Sequence, residues 1–219
     1  MDSSVKSKRR AAKNADMTEG GIFGKFVAYA LPFMLTNLLQ VLYNAADIVV
    51  VGLSHEADAV GAVGTTTAFV NLITGLFIGC SLGAEVVISR AVGRKDGAET
   101  ENAVHTALLF GVIFGAFCGV LGFFLAKPVL ALMGNEAKLL ELASVYTRIY
   151  FLGLPVIALT NFAVAVLHAE GDSKTPFFFL MASSLSNIAV DILFVTAFHM
   201  GVAGVAWATF LCQGVSCVL

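Results

Sequence analysis

Apolar residues run through this chain in six long stretches, 27–53, 60–89, 103–126, 142–167, 175–198 and 202–219, divided by short polar links at 54–58, 90–102, 127–141, 168–174 and 199–201. Each stretch reaches the roughly 18–20 residues needed to cross a bilayer. A spanning backbone must satisfy its own hydrogen bonds in hydrocarbon, so each is predicted to be a helix. The expected fold is all-α: a polytopic membrane protein built as a six-transmembrane-helix bundle. The composition, 58% hydrophobic and 13% charged with mean hydropathy +0.87, departs from the approximately 45–50% apolar and 25% charged residues of soluble domains in the same direction.

Within these stretches the polar residues are not scattered. In the first, Asn37, Gln40, Asn44 and Asp47 recur at steps of three and four, which lays them along one helix face. The fifth repeats the pattern with Ser183 or Ser184, Asn187 and Asp191, and the sixth with Thr209, Gln213 and Ser216. Counted from the links at one end of the bundle, Asp47, Asp191 and Thr209 lie at a common depth of about 10 Å, at 1.5 Å per residue. Asn187 sits one turn deeper. Two carboxylates and a hydroxyl at one level, with the Asn187 amide one turn deeper, predict an oxygen-rich pocket. Burial and a like-charged neighbour both disfavour the ionised form, so the pocket suits a proton or a small hard cation such as Na+. Asn and Ser alone would be read as helix-to-helix glue, but an ionised side chain costs a few kcal/mol or more in the bilayer interior and marks an ion path or a partner.

Charge adds orientation. Lys6, Lys8, Arg9, Arg10, Lys13 and Lys25 form a basic tail over residues 1–25, and Arg90, Arg94, Lys95 and Lys174 fall on the same side of the predicted bundle, against Lys127, Lys138 and Arg148 on the other. The positive-inside rule predicts a cytoplasmic N-terminus in the cell membrane. Beside a transmembrane helix, such a run meets anionic lipid headgroups rather than nucleic acid. No cleavable signal peptide is evident. Cys80, Cys118, Cys212 and Cys217 lie within apolar stretches and read as small hydrophobes. No nucleophile–base constellation, cofactor motif or zinc motif is present, so an enzyme is not expected. Gly171-Asp172-Ser173-Lys174-Thr175 lacks the earlier glycine and the strand of a phosphate loop. Glu85 is expected to pair with Arg90 or with a neighbouring helix. Thr65, Thr66, Thr67, Asn71 and Thr74 form a mildly polar face expected to pack, and Pro32 and Pro155 are candidate bends.

Pro32, the run Asn44-Ala45-Ala46-Asp47 leading to Gly52, the loop Gly93-Arg94-Lys95-Asp96, the turn Glu170-Gly171-Asp172-Ser173-Lys174-Thr175-Pro176 and Asn187-x3-Asp191 together make the chain resemble the multidrug and toxic compound extrusion (MATE) family, in particular its DinF-like branch. The likeness runs from about residue 25 to residue 219. It implies a secondary transporter of twelve helices in two lobes, expelling cationic or amphipathic compounds in exchange for Na+ or H+ by alternating access. Residues 26–219 would form the first lobe, apparently cut before the second, which makes the absent six-helix lobe an expected partner. The resemblance further implies a cation site at Asp47, Asn161, Asn187, Asp191 and Thr209 and a hinge at Pro32. Four of those five positions follow from depth and stripe alone; Asn161 rests on the resemblance. The alternatives are a flippase for lipid-linked sugars of the same superfamily, expected to carry basic residues in its cavity, and an inactive or scaffolding membrane half.

Overall fold

The computed structural model describes residues 22–52, 58–134 and 136–218, apart from a few side chains including those of Tyr43 and Asn44. Most of the expected basic tail and of the 54–58 link lies outside the described residues. The rest is helical: α1 (Ile22–Gly52), α2 (Ala59–Gly93), α3 (Gly97–Leu132), α4 (Ala137–Leu152), α5 (Leu154–Ala169), α6 (Lys174–Ile192), a π-helical turn (Leu193–Ala197) and α7 (Gly201–Val218). There is no strand among the described residues.

The helices outrun their apolar cores. α3 begins six residues before the predicted stretch because Asp96 caps it, its carboxylate accepting the Glu99 N–H at 3.0 Å. The Arg90–Asn102 link thereby shrinks to a tight turn in which Lys95 takes a left-handed φ of 58°. At its far end α3 carries the exposed Lys127 and Pro128 to Leu132. The fourth stretch is two helices rather than one: α4 and α5 meet at Gly153 with a 51° bend, where Pro155 stands in the first turn of α5 and has no N–H to continue the ladder.

By length and apolarity α1, α2, α3 and α6 with its π turn each suffice to cross a membrane, and the bent α4–α5 pair makes a fifth span. The sixth expected crossing is the shorter apolar helix α7. Large hydrophobics such as Leu72, Leu109, Phe117, Phe124 and Leu185 point outward, the inverse of a soluble surface and the arrangement lipid requires. This is a multi-pass membrane protein.

Two regions hold the bundle. On one side α3 lies against α4 and α5 along Gly111, Gly115, Gly119 and Gly122. A Cβ at Gly115 would stand 2.7 Å from the Ala158 Cβ and 2.8 Å from the Pro155 Cα, and one at Gly119 would stand 2.8 Å from the Phe151 carbonyl oxygen. Only glycine permits so close an approach of two backbones. Phe77, Phe151 and Leu154 fill the space beside this seam. On the other side, Val50 and Val51 of α1, Tyr146 and Ile149 of α4, Val195 of the π turn and Val202 and Val205 of α7 form an apolar cluster. That cluster sits beside the polar site described next.

Candidate functional site

Asp47 is carried by α1 five residues before its end, and Asp191 by α6 one residue before its end; both are buried, at 5% and 0% exposure. The two carboxyl groups are electrostatic neighbours. Asn187, one turn earlier on α6, orients its amide so that the nitrogen donates to Asp191 Oδ2 at 2.8 Å while the oxygen accepts the Thr209 backbone N–H of α7 at 3.2 Å. Asp191 Oδ1, fully buried, has no donor among the described residues. Three helices thus converge on one acid pair, and two carboxylates so placed favour a proton or a cation between them.

Tyr146 of α4 is buried in the neighbouring apolar cluster, and the Tyr150 hydroxyl is paired with that of Thr74 at 3.0 Å. Immediately after Asp191 the helix widens into the Leu193–Ala197 π turn, where Thr196 returns its hydroxyl to the Ile192 carbonyl at 2.6 Å. Such turns favour functional sites because they re-aim the side chains on either side. Sequence periodicity gave no sign of it.

Of the five predicted cation-site residues, the structure brings Asp47, Asp191, Asn187 and Thr209 together. Asn161 stands apart from them on α5: its amide donates to the Ile157 carbonyl of its own helix at 2.8 Å, and its outer face lines a separate cavity of about 130 Å³. The α1 stripe splits between environments, with Thr36 and Asp47 buried and Asn37 and Gln40 exposed. Pro32 lies inside the continuous α1, its carbonyl accepting the Thr36 hydroxyl at 3.0 Å. On α2 the hydroxyls of Thr65, Thr66 and Thr67 turn back to carbonyls of their own helix, as a packing face would. Glu85 pairs across helices, with His168, rather than with Arg90.

Residues 32–193 match the family model described as MatE. The chain belongs to the MatE family. Among its MatE relatives, the Bacillus subtilis (strain 168) protein named "Probable multidrug resistance protein YpnP" is 32% identical over 93% of this chain and 46% of its own length. "Multidrug export protein MepA" of Staphylococcus saprophyticus is 24% identical over 87% of this chain and 42% of its own. The fold is similar to a crystal structure of MATE in the bent conformation, with TM-score 0.85 and 27% identity over 95% of this chain and 46% of that one. A MATE crystal structure in the straight conformation matches with TM-score 0.82 and 26% identity, over 95% of this chain and 44% of that one. The chain therefore forms one lobe of the MATE fold and spans less than half the length of the curated relatives it matches.

Proposed function

We propose that this lobe carries the coupling site of a secondary active multidrug efflux antiporter, which exports cationic or amphipathic compounds in exchange for Na+ or H+. The observation that carries the reading is the Asp47–Asp191 pair, two acids from distant stretches buried as electrostatic neighbours in a membrane bundle. Nothing in a purely structural role calls for a second carboxyl there, because like charges in a low-dielectric interior repel. A proton or a cation neutralises the pair; Asn187 and Thr209 would turn their side-chain oxygens to a cation only on loading, and Asn161 would join only when α5 moves relative to α6.

Alternating access follows from unequal affinity. Ion loading favours the arrangement in which α1 and α6 approach, and ion release favours the one in which they part. Pro32 is the hinge in this scheme, since proline leaves α1 one backbone bond short at that point, and similar MATE structures are described as bent and as straight. A second six-helix lobe would complete the translocation path. The basic residues of the tail and of 90–95 support a cytoplasmic N-terminus. A lipid-linked-sugar flippase is disfavoured: among the described residues, no lysine or arginine lines the two cavities bordered by Thr36, Gln40 and Gln213.

The test is ethidium efflux from everted vesicles containing the full-length gene product, under Na+ and pH gradients imposed separately. Asp191→Asn should insert normally and lose ion-driven efflux. Undiminished coupled efflux in that variant would reject the coupling role.

A further inference from the structure

A second ionisable group lies at the opposite end of the bundle and is not used by the acid pair. Glu85 of α2 and His168 of α5 face one another, His168 Nδ1 to Glu85 Oε2 at 3.9 Å, too long for a direct hydrogen bond and right for one through water or a small side-chain movement. The Tyr29 hydroxyl of α1 donates to the His168 carbonyl oxygen at 3.2 Å, its ring edge-on to the imidazole. Two other titratable groups lie in the field of this pair, the neutral Tyr29 near Glu85 and Asp172, in the turn after α5, near His168. The His168 side chain is 5% exposed and that of Glu85 20%. A carboxyl and an imidazole at that depth in a membrane bundle are costly unless they serve a path.

The space between the two ends is lined by polar side chains set among apolar ones. Glu85 and His168 line the cavity of about 130 Å³ together with Thr36, Gln40, Asn161 and Gln213. Thr36, Gln40 and Gln213 also line a smaller cavity, about 50 Å³, that reaches Ser184 and Asn187, the residue bonded to Asp191. Both spaces are roomy and polar enough to hold water. They are too small for a drug-sized molecule, whose pockets are about 300 Å³ or more. Tyr29 and Asp47 lie eighteen residues apart on α1, about 27 Å along the axis, close to the roughly 30 Å depth of a bilayer core.

We infer that Glu85 and His168 form a second proton-exchange site of this lobe, joined to the Asp47–Asp191 pair through the polar passage along α1, α5, α6 and α7. A proton released at the acid pair passes through water to the neutral imidazole of His168, which becomes an imidazolium; it then moves to the carboxylate of Glu85, the more exposed of the two, and from there to bulk water, leaving both groups as they began. Tyr29, its hydroxyl committed to the His168 carbonyl, positions the imidazole. The inference rests on the acid pair being the coupling site.

The test uses the full-length gene product in proteoliposomes, with a pH-sensitive dye in the lumen reporting proton transfer and ethidium reporting efflux. Glu85→Gln should slow proton transfer about tenfold or more with insertion unchanged, and Glu85→Asp should recover most of it, which a merely structural glutamate would not show. Gln213→Leu, which makes the junction of the two cavities apolar, should slow transfer with Glu85 in place. Wild-type proton transfer in Glu85→Gln would overturn the inference. Loss that Glu85→Asp fails to restore would overturn it too, since it assigns Glu85 to folding. If Asp191→Asn retains proton transfer and Glu85→Gln loses it, the acid pair fails as coupling site while the Glu85 path stands as a separate conduit.

Discussion

The glycine seam between α3 and α5 and the acid cluster joining α1, α6 and α7 are two opposite solutions to packing helices in lipid. Along the seam, backbone meets backbone with no side chain between, so attraction comes from dispersion over closely fitted surfaces. In the cluster, a few polar atoms do the joining, with cavities alongside. A seam of that kind has one arrangement, whereas polar atoms that can exchange a protein partner for a proton, an ion or water have at least two. The difference teaches which half of the lobe is scaffold and which half is free to move.

The most severe way to test this contrast is to fill the seam. In Gly115→Leu the first added carbon alone meets the Ala158 Cβ, the Pro155 Cα and the Leu154 carbonyl oxygen at 2.7–2.9 Å, and backbone atoms cannot rotate away. The variant should yield no folded, monodisperse protein by size-exclusion chromatography. A normal yield would show that the seam is not closed. The milder Gly115→Ala should fold with a loss of about 1–3 kcal/mol, read as a lowered Tm in detergent.

Removing a polar partner from the cluster should have a comparable or smaller effect on stability. Asn187→Ala leaves Asp191 Oδ2 without its donor and frees the Thr209 N–H, a loss of about 1–3 kcal/mol. The distinguishing result is functional: Asn187→Ala should change the ion dependence of efflux, and Gly115→Ala should not. If both variants alter ion dependence alike, the division into scaffold and moving half fails.

The polar half was far more legible in the sequence than the seam. An aspartate inside an apolar stretch is conspicuous, and a spacing of three and four puts it on a face with its neighbours, so Asp47, Asp191 and Thr209 could be assigned to one level, with Asn187 one turn deeper, before any coordinates. The seam was equally present as Gly111-x3-Gly115-x3-Gly119, but small residues carry no desolvation penalty and so no warning; the small-residue spacing was the signal that could have found it. Helix ends were hidden for another reason: Asp96 extends α3 by capping, outside the apolar stretch that hydropathy detects. The break at Gly153 needed both the glycine and Pro155 to be weighed against an otherwise unbroken apolar run. The π turn after Asp191 left no compositional trace. Asn161, included through resemblance, is placed by the structure on the cavity rather than in the cluster.

The smallest effect belongs to neither region but to the turn that launches α6. Asp172 accepts the Lys174 and Thr175 N–H groups, each at 3.0 Å, and the Thr175 hydroxyl at 2.6 Å. Partial burial pushes its carboxyl up, but these bonds and the nearby His168 outweigh it and hold the group below the usual 3.8. A carboxylate held low when folded stabilises the fold at pH values above its unfolded value, and the benefit is lost as pH falls through the folded value. Asp172→Ala should therefore cost about 1 kcal/mol at neutral pH, and the difference from wild type should shrink below pH 3.8. Thermal unfolding of both proteins across that range is the measurement. A gap that stays constant into acid would mean that the charge contributes nothing, and that the start of α6 is set by packing alone.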